Sequence, residues 1–516
     1  MKPEAIDLSH HLSDVAKARQ PSPLKGLMKY ITRPDIISLA GGDINLATAL
    51  QYGRISHYHS PFMPLISARH GWWTASTAER GQRVSARVYQ PAYSNYATLM
   101  NTGSTDGWSK VVQTLCNPGE GVLVSKWTYP SAMAAMLPYG ISPVAVDIDG
   151  EGMRADSLRD MLAGWDEAAQ GMPRPRVIYA VPIGENPTGI VHPLALTCEA
   201  LAHTSCRPLV WPARRRSTKS ALILISFWLR MIPTSSCKKE SMCPRRSARL
   251  RQCTRMMMSS SLPRAQLSEV RDTHFCAFMR LITSRLDYQG RVIRLDTFSK
   301  TIAPGCRLGW FTAQPLFIER LERVSETSTQ APCGIGQAVV TSLMMQWGYD
   351  GFLRWLKGIR MQYTLRRDFF VDCLAEEFLL APTYAATGEM AGSRVLNAYV
   401  KPTRRITDYF NEKAPLSDAL FSFAPPTSGM FVWLKVHFDQ HPSFAKFGEE
   451  TLEMQLWIAL ADAGLLLGPG AMFSPKGDWT STQSGHFRIS FSFNSNEEFK
   501  RAVAIFGATI RKFMGQ

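Results

Sequence analysis

The chain has 516 residues, of which 45% are hydrophobic and 19% charged, and its formal net charge is +16. This composition excludes a disordered chain and predicts two or three packed domains. The longest apolar run, near Ala221–Leu229, is only about ten residues long, too short to span a bilayer. The N-terminus lacks the apolar core of a secretory signal, and ten irregularly spaced cysteines indicate reduced thiols. We therefore expect a cytoplasmic protein without a membrane segment.

Short β-rich runs alternate with helical stretches over most of the chain. The runs at 121–127, 175–182 and 290–298 are typical of buried parallel strands, and each ends in a small or polar loop. Beyond about residue 350 come long helical stretches, followed by strand-like segments at 429–436 and 486–493. This order predicts an α/β fold: a three-layer α/β/α large domain with a mostly parallel sheet, and a smaller α+β domain. In such sheets, ligands bind at the carboxyl ends of the strands.

The strongest local signal is the segment DTFSKTIAPGCRLGW, residues 296–310. Lys300 stands just after a strand, with Thr297 three residues before it and Arg307 seven residues after it. A lysine in this position is partly desolvated and can form an imine with an aldehyde cofactor. A guanidinium and nearby hydroxyls can hold a phosphate. A lone lysine is usually a solvated surface charge, but the surrounding pattern favours the catalytic interpretation.

With this segment the chain resembles the fold-type I pyridoxal-phosphate (PLP) aminotransferases, specifically the aromatic amino acid, 2-aminoadipate and kynurenine branch. The resemblance covers roughly residues 22–53, 86–195 and 285–516. It implies that Lys300 carries the cofactor and acts as the general acid and base of the reaction. It also implies that Thr297 and Arg307 contact the phosphate.

Two further blocks match the family near the cofactor. The segment NTGSTDGW (101–108) resembles the phosphate-binding turn at a helix N-terminus, with Ser104 and Thr105 supplying hydroxyls. As an isolated sequence this is more often a plain loop. In the block WTYP (127–130), Tyr129 is similar to the tyrosine that stacks on the pyridine ring; the alternative is an ordinary core tyrosine.

The remaining matches concern the 3′ oxygen, the substrate and the partner subunit. In GENPTG (184–189), Asn186 is expected to donate to the 3′ oxygen of the cofactor and to line the substrate site. Arg488 is the expected clamp for the substrate carboxylate, since a guanidinium pairs bidentately with that group. Gly42 resembles a flexible glycine near the substrate. Tyr52 resembles a tyrosine that reaches the phosphate of the neighbouring subunit, which would make the enzyme a homodimer with shared sites.

The resemblance implies transfer of an amino group from an aromatic amino acid, 2-aminoadipate or kynurenine to a 2-oxo acid such as 2-oxoglutarate. PLP is the expected cofactor, and no metal, nucleic acid or membrane partner is expected. The expected domains are an N-terminal arm with part of the small domain (1–53), a PLP-binding large domain (86–345) and a C-terminal small domain (346–516). Two alternatives remain: decarboxylation or lyase chemistry on the same fold, and a catalytically dead relative that binds cofactor or nucleic acid.

One stretch, residues 196–284, departs from the family. Between Trp211 and Ala265 thirteen lysines and arginines accompany a single acid, Glu240, and six of the ten cysteines lie between residues 198 and 276. The family has here a strand followed by Glu-Asp-Asp-Pro-Tyr, whose first aspartate pairs with the pyridine nitrogen and whose tyrosine bonds the 3′ oxygen. That carboxylate keeps the ring an effective electron sink. Residues 54–85 also depart from the family.

A shifted reading frame restores the missing motif. Permitted codons for Leu229 to Glu240, read from one base before the Arg230 codon, encode Glu-Asp-Asp-Pro-Tyr. The ATG codon of Met231 before an isoleucine codon forces the second aspartate. We hypothesise a frame error or retained introns across 196–284. The alternative is a genuine basic insertion that binds nucleic acid, although it would replace a core strand. The polypeptide as written is therefore expected to fold poorly and to have little activity.

Sequencing of the mature transcript tests this hypothesis. Across the codons for residues 40–90 and 190–290, we expect a message that encodes Glu-Asp-Asp-Pro-Tyr between the Asn186 and Lys300 blocks. A continuous native message that encodes the basic stretch as written would refute the frame hypothesis and favour a repurposed relative.

Overall fold

The structure is a computed structural model that describes residues 35–40, 93–192, 221–225, 287, 290–401, 418–475 and 485–515, with the backbone alone at 221–225 and 449–450. The strands in these ranges are β1 (Ile37–Ser38), β2 (Ala97–Asn101), β3 (Gly121–Ser125), β4 (Ser142–Val146), β5 (Ile148–Asp149), β6 (Gly152–Met153), β7 (Val177–Ala180), β8 (Ala221–Ile225), β9 (Val292–Thr297), β10 (Gly309–Ala313), β11 (Leu379–Tyr384), β12 (Arg394–Tyr399), β13 (Phe421–Phe423), β14 (Phe431–Val436), β15 (Leu465–Leu466), β16 (Gly468–Pro469) and β17 (His486–Ser490). The α-helices are α1 (Ser104–Leu115), α2 (Pro130–Ala134), α3 (Ala155–Ala163), α4 (Glu167–Gln170), α5 (Pro315–Glu326), α6 (Gly334–Glu377), α7 (Phe444–Asp462) and α8 (Asn496–Met514).

The larger sheet has seven strands in the order β2-β10-β9-β8-β7-β3-β4. The neighbours from β9 to β4 are parallel, whereas β10 is antiparallel to both β9 and β2. Strand β8 comes from the basic stretch and pairs through Ile178↔Leu222 with β7 and through Ile223↔Ile293 with β9. The backbone of the sheet is thus continuous at the position where we expected a core strand to be replaced.

Alternation along the strands gives this sheet two apolar faces. In β3, Val122 and Val124 lie in one buried cluster and Leu123 lies in another, as the two-residue period of a strand requires. Helices α1 and α5 cover the first face through residues such as Val111 and Leu321, and α3 covers the second. These three layers confirm the predicted α/β/α architecture.

The second sheet is antiparallel, with the order β11-β12-β13-β14-β17-β16. Its buried aromatic residues pack with those of α8, for example Phe421 against Phe506 at 5.3 Å between ring centroids. Strand β1 pairs in parallel with β15 and so joins the N-terminal part of the chain to this region. The boundary predicted at residues 345 and 346 falls within α6, just before a break at Gly348, where φ is 58°.

The two sheets meet at a pair of glycines. A Cβ built on Gly184, in the loop after β7, would lie 2.7 Å from the Cα atom of Gly429, in the turn before β14. Both residues have positive φ, 63° and 75°. A side chain at either position would be strained and would push the two loops apart. Separately, none of the helices in the described part of the chain is long and apolar enough to cross a membrane.

Candidate active site

The predicted site residues gather at one edge of the seven-stranded sheet. The segments that follow β2, β3, β7 and β9 carry Ser104, Tyr129, Asn186 and Lys300, respectively. Because these four strands run in the same direction, their carboxyl ends open on the same side. Arg307 precedes the antiparallel strand β10 and therefore reaches the same edge.

Arg307 and the start of α1 lie together in an arrangement suited to an anion. The Arg307 guanidinium donates from Nη2 to the carbonyl of Thr102 at 2.8 Å and from Nη1 to Ser299 Oγ at 3.3 Å. Gly103, with φ of 108°, lets it approach, because a Cβ there would lie 2.6 Å from Nη2. Within the described residues, Ser104 Oγ and Asn101 Nδ2 are buried without a hydrogen-bond partner. These unsatisfied groups at a helix N-terminus fit a phosphate.

The strand end before Lys300 is held by its own hydroxyl network. Thr297 Oγ1 donates to the carbonyl of Leu308 at 3.1 Å and accepts from the backbone N–H of Ser299 at 3.1 Å. The Thr297 hydroxyl is thus engaged within the loop, and its predicted contact with the phosphate stays a prediction. Ser299, which sequence reasoning missed, presents its hydroxyl to Arg307 instead. Its position next to Lys300 is the sequence feature that could have indicated this contact. Lys300 itself is half-buried in the turn that follows β9.

Arg488 on β17 is brought against Asn186 from the second sheet. Its Nη1 donates to Asn186 Oδ1 at 2.7 Å, and its Nη2 donates to the carbonyl of Ala40. The guanidinium carbon lies 4.3 Å from the ring centroid of Phe431 and 4.8 Å from that of Phe473. With its Oδ1 turned to Arg488, Asn186 keeps its amide N–H groups for another acceptor.

Arg488 is a buried cation with neutral neighbours. Its residue is 2% exposed, and its Nε has no partner among the described residues. Burial lowers the pKa of the Arg488 guanidinium to about 9, an effect that nearby Tyr129 opposes. A buried charge is costly unless it is paired, so the arrangement is suited to an incoming carboxylate.

For the other predicted residues the structure gives only a position and a degree of burial, or nothing. Tyr129 is half-buried at the N-terminus of α2, and Thr105 is exposed in the first turn of α1. Tyr52 and Gly42 lie outside the described residues, as do 54–85 and, apart from β8, 196–284. Their predicted roles therefore stay predictions.

Two acids near the site, the buried Glu185 and the half-buried Glu389, were missed from the sequence. Glu185 accepts from Ser125, Thr188 and His192 at one side of the Asn186 loop.

Glu389, in a short 3-10 helix at Gly388–Met390, joins the two sheets. It accepts from Trp127 Nε1 at 2.6 Å and pairs with Lys126 at 2.9 Å and His486 at 3.3 Å. Burial alone would raise the pKa of Glu389, but the positive charges of His486 and Lys126 lower it. Glu185 lies within the block GENPTG, which was used to identify Asn186 alone, and no sequence motif marks Glu389.

Within the described ranges, no group of three or more histidine, cysteine, aspartate or glutamate side chains is arranged to hold a metal ion. The residues that are placed fit the phosphate end of PLP and a substrate carboxylate. The acid that the family places against the pyridine nitrogen would follow β8, where the chain is outside the described residues.

Comparisons with known proteins agree with this geometry. The chain is 28% identical to an aromatic amino acid aminotransferase of Schizosaccharomyces pombe, over 99% of each chain. It is also 28% identical to an L-tyrosine:2-oxoglutarate aminotransferase of Tapinella panuoides, over 86% of this chain and 76% of that one. No protein-family model matches the chain.

The fold is shared with the crystal structure of an aminotransferase from Candida albicans, with a TM-score of 0.65, 23% identity and full coverage of both chains. The chain is thus similar along nearly its whole length to an aromatic amino acid aminotransferase, and it has the fold of a solved aminotransferase.

Proposed function

We propose that the protein transfers the amino group of an aromatic amino acid, 2-aminoadipate or kynurenine to a 2-oxo acid such as 2-oxoglutarate. Relatives named for transfer from aromatic amino acids and from L-tyrosine to 2-oxoglutarate support this substrate class. The observation that carries the proposal is the buried Arg488 guanidinium, which has neutral partners and lies beside Asn186. A cofactor-binding module without turnover has no need for a carboxylate site in addition to a lysine at a strand end.

Each placed residue has a distinct task in this proposal. When bound, PLP supplies an aldehyde and a ring that withdraws electrons from the substrate Cα. Lys300 Nζ would hold the cofactor and would move the proton at the substrate Cα. Ser104, Thr105, Thr297, Ser299 and Arg307 would hold the phosphate. Tyr129 would cover one face of the ring, and Asn186 would donate to the 3′ oxygen.

Arg488 orients the substrate by its carboxylate, so that the Cα–H bond faces Lys300. The rings of Phe431 and Phe473 exclude water from this guanidinium, which strengthens its interaction with an anion. Gly42 would lie next to the substrate in this proposal.

We further propose a cytoplasmic homodimer with shared active sites, in which Tyr52 reaches the phosphate of the neighbouring subunit. The first half of α6 exposes apolar side chains, Ile335 (67%), Val339 (62%) and Met345 (61%). Ile335 and Val339 are one helical turn apart and lie on one face. A second copy that covers them would remove this apolar surface from water.

Product analysis tests the proposed reaction. With PLP, L-tyrosine and 2-oxoglutarate, stoichiometric amounts of the protein should form 4-hydroxyphenylpyruvate and glutamate in equal amounts, at a low rate for the polypeptide as written. Without PLP, neither product should form. Products that arise without any 2-oxo acid would indicate a lyase or decarboxylase, and no product at all with stoichiometric protein would contradict transamination.

Substitution of the carboxylate clamp gives a second test. Arg488→Gln should raise the KM for 2-oxoglutarate roughly 10- to 150-fold, since a hydrogen bond to a charged group contributes about 1.5–3 kcal/mol. Arg488→Lys should recover part of the loss because it keeps the charge without the bidentate geometry.

The matched control for this test is Arg394→Gln, an exposed arginine on β12 of the same sheet. Its KM should match that of the unmodified protein. Equal KM values for Arg488→Gln and the unmodified protein would show that Arg488 does not bind the substrate carboxylate.

A further inference from the structure

We propose that Glu185 is a positioning residue that fixes both Asn186 and the loop carrying Tyr129 at the cofactor site. This inference rests on the proposed function. It concerns a carboxyl group that lies behind the site and is not expected to touch cofactor or substrate.

Three hydroxyl or imidazole donors converge on Glu185. Ser125 Oγ donates to Oε1 at 2.5 Å, Thr188 Oγ1 donates to Oε2 at 2.8 Å, and His192 Nε2 lies 3.1 Å from Oε1. The residue is 3% exposed. Within the described part of the chain, no lysine or arginine pairs with it. A buried carboxylate held by neutral donors alone binds each of them firmly.

The hydrogen bonds of His192 define its tautomer. The backbone N–H of Met153 donates to Nδ1 at 3.1 Å, so Nδ1 carries no proton and Nε2 is the donor to Glu185. The imidazole therefore connects the Glu185 carboxylate to β6. Gly152 is required for this contact, because a Cβ there would lie 2.4 Å from Nδ1.

The Asn186 loop is closed around Glu185. The backbone N–H of Glu185 donates to the carbonyl of Ile190 at 3.0 Å, and the N–H of Gly189 donates to the carbonyl of Glu185 at 2.7 Å. Asn186 is the next residue, and its side chain reaches Arg488. A displacement of Glu185 would therefore move Asn186 Nδ2 relative to the 3′ oxygen that it is proposed to hold.

The same carboxylate holds the end of β3. Ser125 is the last residue of that strand, and its carbonyl accepts from Thr128 Oγ1 at 3.0 Å, next to Tyr129. Glu185 thus connects the two loops that are proposed to contact the ring face and the 3′ oxygen. Glutamine cannot replace it fully, since its amide nitrogen would face a donor instead of accepting from it.

The test compares Glu185→Gln with Glu151→Gln, an exposed glutamate in the turn between β5 and β6. In Glu185→Gln, hydrogen–deuterium exchange should quicken about tenfold in peptides covering 125–129 and 184–192, with α8 unchanged as the internal reference. The PLP dissociation constant should rise at least about fivefold, and the pH midpoint of the bound cofactor's absorbance should move. Thr188→Val removes one donor and should produce smaller changes in the same direction.

The outcomes separate this inference from the proposed function. The role of Glu185 would be overturned if exchange in the two peptides of Glu185→Gln is unchanged, or if it quickens equally in α8. It would also be overturned if exchange changes but the pH midpoint of the absorbance stays the same in a variant that binds PLP. If the unmodified protein binds no PLP, the proposed function fails, and the exchange pattern alone shows whether Glu185 holds the two loops together. The inference about Glu185 would also be overturned if Glu151→Gln changed exchange and PLP binding as much as Glu185→Gln does.

Discussion

The candidate site depends on the hydrogen bond between Arg488 and Asn186, which joins two sheets built from separate parts of the chain. The bond is possible because Gly184 and Gly429 have no side chains, so that the loop after β7 can rest on the turn before β14. Glu389 adds an ionic connection between the same layers through Lys126 and His486. Together these contacts fix the separation between the carboxylate site on β17 and the lysine after β9.

Much of the large domain could be predicted from the sequence, because buried parallel strands produce apolar runs followed by small or polar loops. The segment around Lys300 and the block at Asn186 are local in sequence, and both lie at the sheet edge that strand direction predicts. At the start of α1, where the sequence predicts an anion site, Ser104 Oγ has no hydrogen-bond partner among the described residues.

The remaining features of the site could be recognised only from the tertiary structure. Glu185 looks like an ordinary loop acid, and its role depends on Ser125 and His192, which are distant in sequence or carry no motif. Composition identified the basic stretch as foreign, yet its residues 221–225 occupy a central strand position, because an apolar five-residue run can fill the gap between β7 and β9 by backbone pairing alone. Strand pairing uses backbone groups, so any apolar run can supply it, whatever its reading frame. An aspartate opposite the pyridine nitrogen requires one particular side chain and therefore the correct frame.

The central claim is that Lys300 holds PLP opposite the Arg488 carboxylate site. Reduction of the PLP-treated protein with borohydride, followed by mass mapping of its peptides, tests this claim most directly, since reduction attaches the cofactor permanently to the amine that binds it. We predict a single phosphopyridoxyl addition on the peptide containing Lys300, and its loss in Lys300→Ala. Stoichiometric addition at another lysine, or PLP binding without any addition at Lys300, would contradict the account.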